Sequence, residues 1–327
     1  MKKVTFLLGV IMFFTTLSFA QEQESFQPSG KVFMKVFSNF NTTISDGTTN
    51  SAFAIERAYF GYEYNLSRNF SGKLNIDVGD PGVGKLQMTA YLKNAYIKYH
   101  TEKLAIEFGL IGTTAFKEME GWWGNRYIEK SFQDAYKFNA SADLGASVKY
   151  ALTDWLSADL IVVNGEGYKN LQADNQFKTG LGVTIDPVKS ISLRGYYDMM
   201  GSTAPQATAS FAAAYTSKKI TAAAEYNLQN NVGNTQGKAY SGYSVYANYV
   251  AAKKVKVFAR YDLLTSNMLS GETANWNASK DGNLVLAGLE FSPVKGVKFA
   301  PNFRLWSPAD ETKANTSSFF LNCEIKF

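Results

Sequence analysis

Four stretches of the chain set polar and ionisable side chains an even number of residues apart, with mostly apolar residues between them. Ser71, Lys73, Asn75 and Asp77 interleave with Phe70, Gly72, Leu74, Ile76 and Val78. Ser192, Arg194, Tyr196 and Asp198 do the same across 191–198, Lys256, Arg260 and Asp262 across 255–262, and Lys298, Asn302 and Arg304 across 297–304. A period of two is that of a β-strand, so each stretch presents one charged face and one apolar face. Rows of mixed charge on a wetted wall shape an electric field; bond-breaking needs a nucleophile beside its base. The residues for that second kind of chemistry are scarce. His100 is the only histidine and Cys323 the only cysteine. A Ser-His-acid triad, a zinc site and an internal disulfide therefore lack members. The glycine-rich run 79–84 (Gly-Asp-Pro-Gly-Val-Gly) precedes no helical pattern and reads as a turn, not a phosphate cradle. No enzyme, no cofactor and no metal site is expected.

Strands must carry these rows, and the whole chain reads as strands. Its end, Ser318 to Phe327, alternates strictly: Phe319, Leu321, Cys323, Ile325 and Phe327 share one face, Ser318, Phe320, Asn322, Glu324 and Lys326 the other. Short polar turns at Ser67–Asn69, Thr101–Lys103, Thr153-Asp154, Pro187–Lys189, Ser217–Lys219, Ala252–Lys254 and Pro293–Lys295 alternate with longer polar stretches. Those stretches are 42–51, 80–87, 113–140, 165–175, 201–206, 230–239, 266–282 and 307–316. Alternating short and long connections, with about ten residues per strand, predict an all-β, up-and-down transmembrane barrel of about sixteen antiparallel strands. Mean hydropathy is only −0.18 although 46% of residues are apolar, as expected where lipid-facing and water-facing residues cancel. Tyr64, Tyr99, Tyr150, Trp155, Tyr226 and Tyr249 flank the apolar faces as interfacial girdles would. A soluble β-sandwich also alternates, but its polar faces would not carry charge along most of their length.

The N-terminus reads as an export signal. Lys2 and Lys3 precede an uncharged apolar run from Val4 to Leu17, and Ser18-Phe19-Ala20 offers a cleavage site. The run is too short for a spanning helix, which needs roughly 20 residues. The expected organisation is a signal at 1–20 and a single barrel domain at 21–327 in the outer membrane. A net charge of +5 is too mild to imply nucleic acid.

The inward set expected from the alternation contains the bases Arg57, Lys73, Lys98, Lys149, Lys178, Arg194, Lys256, Arg260, Lys298 and Arg304. Its acids are Glu63, Asp77, Glu107, Asp143, Asp159, Asp198, Glu225, Asp262 and Glu290. Sixteen strands leave a lumen too wide for side chains to fill. Flux then depends on pore width and lining charge. A nearly balanced lining orients small polar solutes in a transverse field; the same residues could instead pair across strands and merely hydrate the wall. Glu56 shares a face with Ala54, Ala58 and Phe60 and is expected either at the lipid rim or at a slip of register. The longest connection, 113–140, mixes Lys117, Glu118, Glu120 and Arg126 with Trp122 and Trp123. That content suits a segment folded inward to narrow the pore, the other possibility being a cap over the outer mouth.

Residues 55–132 resemble the phosphate-selective porin O and P family. The resemblance lies in Ile55-Glu56-Arg57-Ala58-Tyr59-Phe60-Gly61 through Asn65–Ser71 to Asp77, and in Leu92–Tyr99 followed by Leu104–Leu110. It continues in Phe116-Lys117-Glu118 with Arg126–Lys130. It implies a sixteen-stranded homotrimeric channel with one long loop folded into the pore. Phosphate-selective members share a ladder of lumenal arginines; this chain has six arginines in all, Arg57, Arg68, Arg126, Arg194, Arg260 and Arg304. The expected function is passive diffusion of small hydrophilic solutes. A phosphate- or anion-selective channel is the alternative, and a structural or adhesive barrel that binds a partner through its loops is another.

Overall fold

The computed structural model describes residues 26–79 and 88–327. The expected export signal and the glycine-rich run beyond Gly79 lie outside them. Sixteen antiparallel strands close into one barrel, each paired with its sequence neighbours and the first with the last. They are β1 (Ser29–Ser45), β2 (Thr48–Asn65), β3 (Phe70–Gly79), β4 (Thr89–His100), β5 (Leu104–Gly112) and β6 (Ala142–Ala151). Then come β7 (Leu156–Val163), β8 (Lys178–Val188), β9 (Ile191–Met200), β10 (Gln206–Thr216) and β11 (Ile220–Asn230). The rest are β12 (Ala239–Ala252), β13 (Val255–Ser266), β14 (Gly282–Phe291), β15 (Val297–Pro308) and β16 (Thr316–Lys326). Two short helices, α1 (Lys117–Trp123) and α2 (Phe132–Ala135), interrupt the connection from β5 to β6.

The faces follow the alternation. On β13, Phe258, Arg260, Asp262, Leu264 and Ser266 are buried inside, while Val257, Ala259 and Thr265 face out. The terminal strand seals the barrel as its pattern demands: Val36 opposes Ile325, Phe40 opposes Leu321 and Thr42 opposes Phe319 across β1. Outside, large apolar side chains such as Phe108, Phe211, Leu160 and Leu181 are exposed all round, which is the surface a lipid phase covers. Trp155, Tyr150, Tyr226 and Tyr249 stand exposed among them.

One local reading changes, and one left between two alternatives is decided for the register slip. The stretch 42–51 is not a long connection, because β1 and β2 continue through it to a two-residue turn at Asp46-Gly47. Both turn residues take positive φ, 47° and 69°. That is the backbone a tight hairpin requires and Gly adopts without a Cβ clash. Glu56 does not face lipid. The pairing of β1 with β2 slips between Phe37/Arg57 and Ser38/Ile55, which leaves Glu56 as an extra residue in a bulge. There it accepts a 2.9 Å hydrogen bond from the buried Asn39 amide. A second bulge on β4 falls between Asn94/Asn75 and Leu92/Ile76 and leaves Lys93 as the extra residue. Its Nζ donates to Ser141 Oγ at 2.6 Å. Each bulge re-aims one charged side chain that strict alternation would have sent elsewhere.

Candidate functional site

Residues 113–141 join β5 to β6, yet their partners are the inward side chains of strands far across the barrel. Phe132 and Met119 are fully buried, as is Trp123, whose ring lies 5.4 Å from Tyr246 and 6.3 Å from Phe258. Burying side chains of this size stabilises by about 1.5–3 kcal/mol each. The wall is shaped to accept them. At the inward position Gly242 a Cβ would come within 2.5 Å of the Phe132 ring and 2.3 Å of the Leu263 carbonyl, so only Gly leaves room for α2.

A helix of one or two turns leaves backbone groups unpaired, and a segment away from water must find partners for them. The wall supplies donors. Arg194 Nη2 donates to the Thr114 carbonyl at 2.8 Å, Arg260 Nη1 to the Lys130 carbonyl at 2.5 Å and Arg304 Nη2 to the Ile128 carbonyl at 2.7 Å. Tyr246 OH donates to the Met119 carbonyl, Asn248 Nδ2 to that of Trp123 and Asn322 Nδ2 to that of Tyr127. Side chains of the segment complete the seam. Asn125 Nδ2 donates to Asn248, Tyr127 OH to Glu290, and Gln133 Nε2 to Asn227 and Ser210. Asn139 donates to Asp198 at 2.9 Å and accepts from Lys178 at 2.8 Å.

This seam assigns many of the expected lining residues. Arg194 pairs with Asp159 at 2.7 Å, Arg304 with Glu129 at 2.7 Å, and Arg260 grips Asp262 through two bonds of 2.8 and 2.6 Å. Arg194, Asp198, Arg260 and Asp262 face inward as expected, but they are 4%, 0%, 3% and 0% exposed. They hold the segment, and Arg194 also borders a small cavity of about 80 Å³. Lys256 reaches both Asn125 and Glu290, and Lys298 lies between Glu290 and Glu324. The Asn, Gln and Tyr partners escaped the sequence reading; their signal is an amide or phenol at an inward strand position, which alternation alone would have marked.

The opposite wall is different. Lys73 meets Glu63 at 2.7 Å and Lys98 meets Glu107 at 3.2 Å, with side chains that remain partly exposed. Arg57 Nη1 donates to Asp77 at 2.6 Å and to Tyr91 OH at 2.5 Å, which hides Asp77 completely. Between this wall and the segment lies a cavity of about 510 Å³. Its bases are Lys31, Lys35, Lys73, Lys93, Lys117, Arg126 and Lys326; its acids are Glu63, Glu107 and Glu120.

The segment's own expected residues divide in the same way. Trp123 is an anchor, its indole N–H donating to the Glu129 carbonyl at 2.9 Å. Trp122 is half-buried between the two apolar clusters that carry Trp123 and Met119. Glu118 pairs with Lys149 at 3.0 Å. Lys117 is exposed, while Glu120 and Arg126 pair at 3.4 Å and Arg126 also meets Asp134 at 3.0 Å. Burial raises the Glu120 carboxyl above its ordinary range, against the pull of Arg126. His100 lies at the end of β4 with its backbone bonded to Asn69, remote from this cavity. Among the described residues no group of three or more His, Cys, Asp or Glu could hold a metal ion.

The barrel matches solved outer-membrane structures. Pseudomonas putida OprB at high pH superposes with a TM-score of 0.69 at 10% identity, covering 91% of this chain and 94% of that one. Salmonella typhi OmpF in complex with daunomycin gives 0.67 at 13%, covering 91% and 97%. The outer membrane channel DcaP of Acinetobacter baumannii gives 0.64 at 12%, covering 94% and 100%. At these identities the likeness is one of fold. No family model and no curated protein matches the sequence.

Proposed function

We propose that the chain is an outer-membrane porin, through which small hydrophilic solutes diffuse down their gradients past the inward segment. One observation carries the reading: the segment is fastened chiefly to the lumenal faces of β8 to β16 and leaves a charged, water-accessible cavity against β1 to β5. A plug would leave no such open space between the segment and the wall. Fastening concentrated on one side, with lighter contacts to Lys149 of β6, Lys93 of β4 and Phe37 of β1, narrows a sixteen-stranded lumen without filling it, and width and lining charge then govern flux. The fold shared with OmpF, OprB and DcaP supports the same reading.

The passage prefers anions. Seven bases face three acids on the cavity wall, so the local potential concentrates negative solutes. That preference differs in kind from a ladder of phosphate-gripping arginines, since Arg194, Arg260 and Arg304 are committed to carbonyl and carboxylate partners. Homotrimeric assembly and export through the signal at 1–20 complete the proposal. The test is planar-bilayer recording of the purified chain: ohmic open-level steps are expected, with a reversal potential of anion-selective sign in a potassium chloride gradient. Absence of steps overturns the channel; a cation-selective sign overturns the preference.

A further inference from the structure

The two ends of the barrel carry opposite charge. At the end with the short turns, Lys103, Lys189 and Lys295 are exposed in three connections. Two more turns carry adjacent pairs, Lys218-Lys219 and Lys253-Lys254, and a sixth carries Arg68. Glu102 and Asp154 are the only acids in the seven turns. At the other end, acids outnumber bases in the described connections outside the inward segment, with Asp46, Glu166, Asp174, Glu272, Asp310 and Glu311 among them.

We propose that the basic ring at the short-turn end binds the anionic headgroups of the phospholipid leaflet around it. The inference rests on the membrane placement proposed above. Three observations select lipid over a protein partner. Six of seven turns carry a base, so the charge encircles the barrel; a docked protein touches one side, whereas a leaflet touches all of them. The same end bears outward rings at headgroup depth, with Trp155 51%, Tyr150 47% and Tyr215 46% exposed beside the turns. Such rings mark where hydrocarbon gives way to headgroups. Lysine carries a compact charge on a flexible stem that reaches a phosphate from the edge of the apolar band. Fixed bases near an anionic surface attract its lipids within a Debye length.

Trp155 reports the contact directly, because Trp122 and Trp123 lie inside the barrel and Trp276 and Trp306 belong to the opposite end. Its turn lies between those of Lys103 and Lys189: the Ala151 N–H donates to the Lys103 carbonyl and the Asp186 N–H to the Trp155 carbonyl. The full chain is placed in phosphatidylcholine vesicles that contain a small fraction of either brominated phosphatidylglycerol or brominated phosphatidylcholine, and tryptophan quenching is read. The expected result is a preference of about fivefold for phosphatidylglycerol. It should vanish in half-molar salt and in the variant with Lys103, Lys189, Lys218, Lys219, Lys253, Lys254 and Lys295 all changed to Gln. The control K238Q/K280Q, at the far end, should keep it. Equal quenching by both lipids in the unaltered chain overturns the proposal and leaves the ring to an acidic macromolecule; so does a preference that survives the seven-fold change. Quenching by neither lipid overturns the membrane placement itself and is told apart by that signature.

Discussion

The two inner walls of this barrel use the same charges for different work. Along β8 to β16 every inward arginine is spent on the segment 113–141, one nitrogen to a backbone carbonyl and others to a carboxylate. Along β1 to β6 the inward bases are mostly lysines, partly exposed and set around open space. Arginine's rigid fork of five donors suits holding a chain in place, whereas lysine's compact, hydrated charge suits setting a potential. Charge on a channel wall therefore does not identify a lining residue. Whether a second layer covers it decides.

The sharpest way to break this contrast is to remove a holding residue. Arg260→Ala leaves Asp262 buried without its two-bond partner, so the barrel should lose about 3–5 kcal/mol of stability, measured by urea titration of the heat-modifiable gel shift. Lys73→Ala on the open wall should cost at most about 1 kcal/mol in the same assay. Equal losses would erase the distinction. Deleting Glu118 to Asn125 removes α1 and should raise single-channel current by roughly twofold or more, since pore width governs flux. An unchanged current would mean that the segment does not narrow the passage.

A finer test changes charge alone. The triple variant K35Q/K73Q/K93Q should move the reversal potential toward zero and leave stability nearly unchanged, while K256Q should leave the reversal potential in place. Acidification offers a reversible version. Because burial raises the Glu120 carboxyl, it loses its charge at a pH above the ordinary carboxylate value of about 4.3. Its neutralisation leaves Arg126 and the facing lysines less compensated, so anion preference should rise as the pH falls through that range. E120Q should show the raised preference at neutral pH and no further step in that range. The smallest effect belongs far from both walls: Gly47→Ala, at φ 69°, should cost roughly 1 kcal/mol.

How far the sequence carried this picture differs between wall and segment. The alternation of Ser318 to Phe327, the seven short turns and the inward rows were all legible, because a two-residue period is local. The hairpin at Asp46-Gly47 was legible too: Asp-Gly between alternating residues is a two-residue turn signal, and polarity alone made the stretch look like a long loop. Glu56 and Lys93 were not legible in the same way. A bulge shifts the register by one residue and is set by the partner strand. The commitments of the arginines were hidden by distance. Arg304 meets a carbonyl 176 residues earlier in the chain, and carbonyls carry no sequence signal.

The manner of fastening has a consequence for assembly. The segment between β5 and β6 is written early, yet its last clasp is Asn322, on the strand that also zips to β1. One strand thus both closes the cylinder and clasps the segment inside it. The last of the segment's wall contacts in chain order therefore lies on the strand that completes the cylinder.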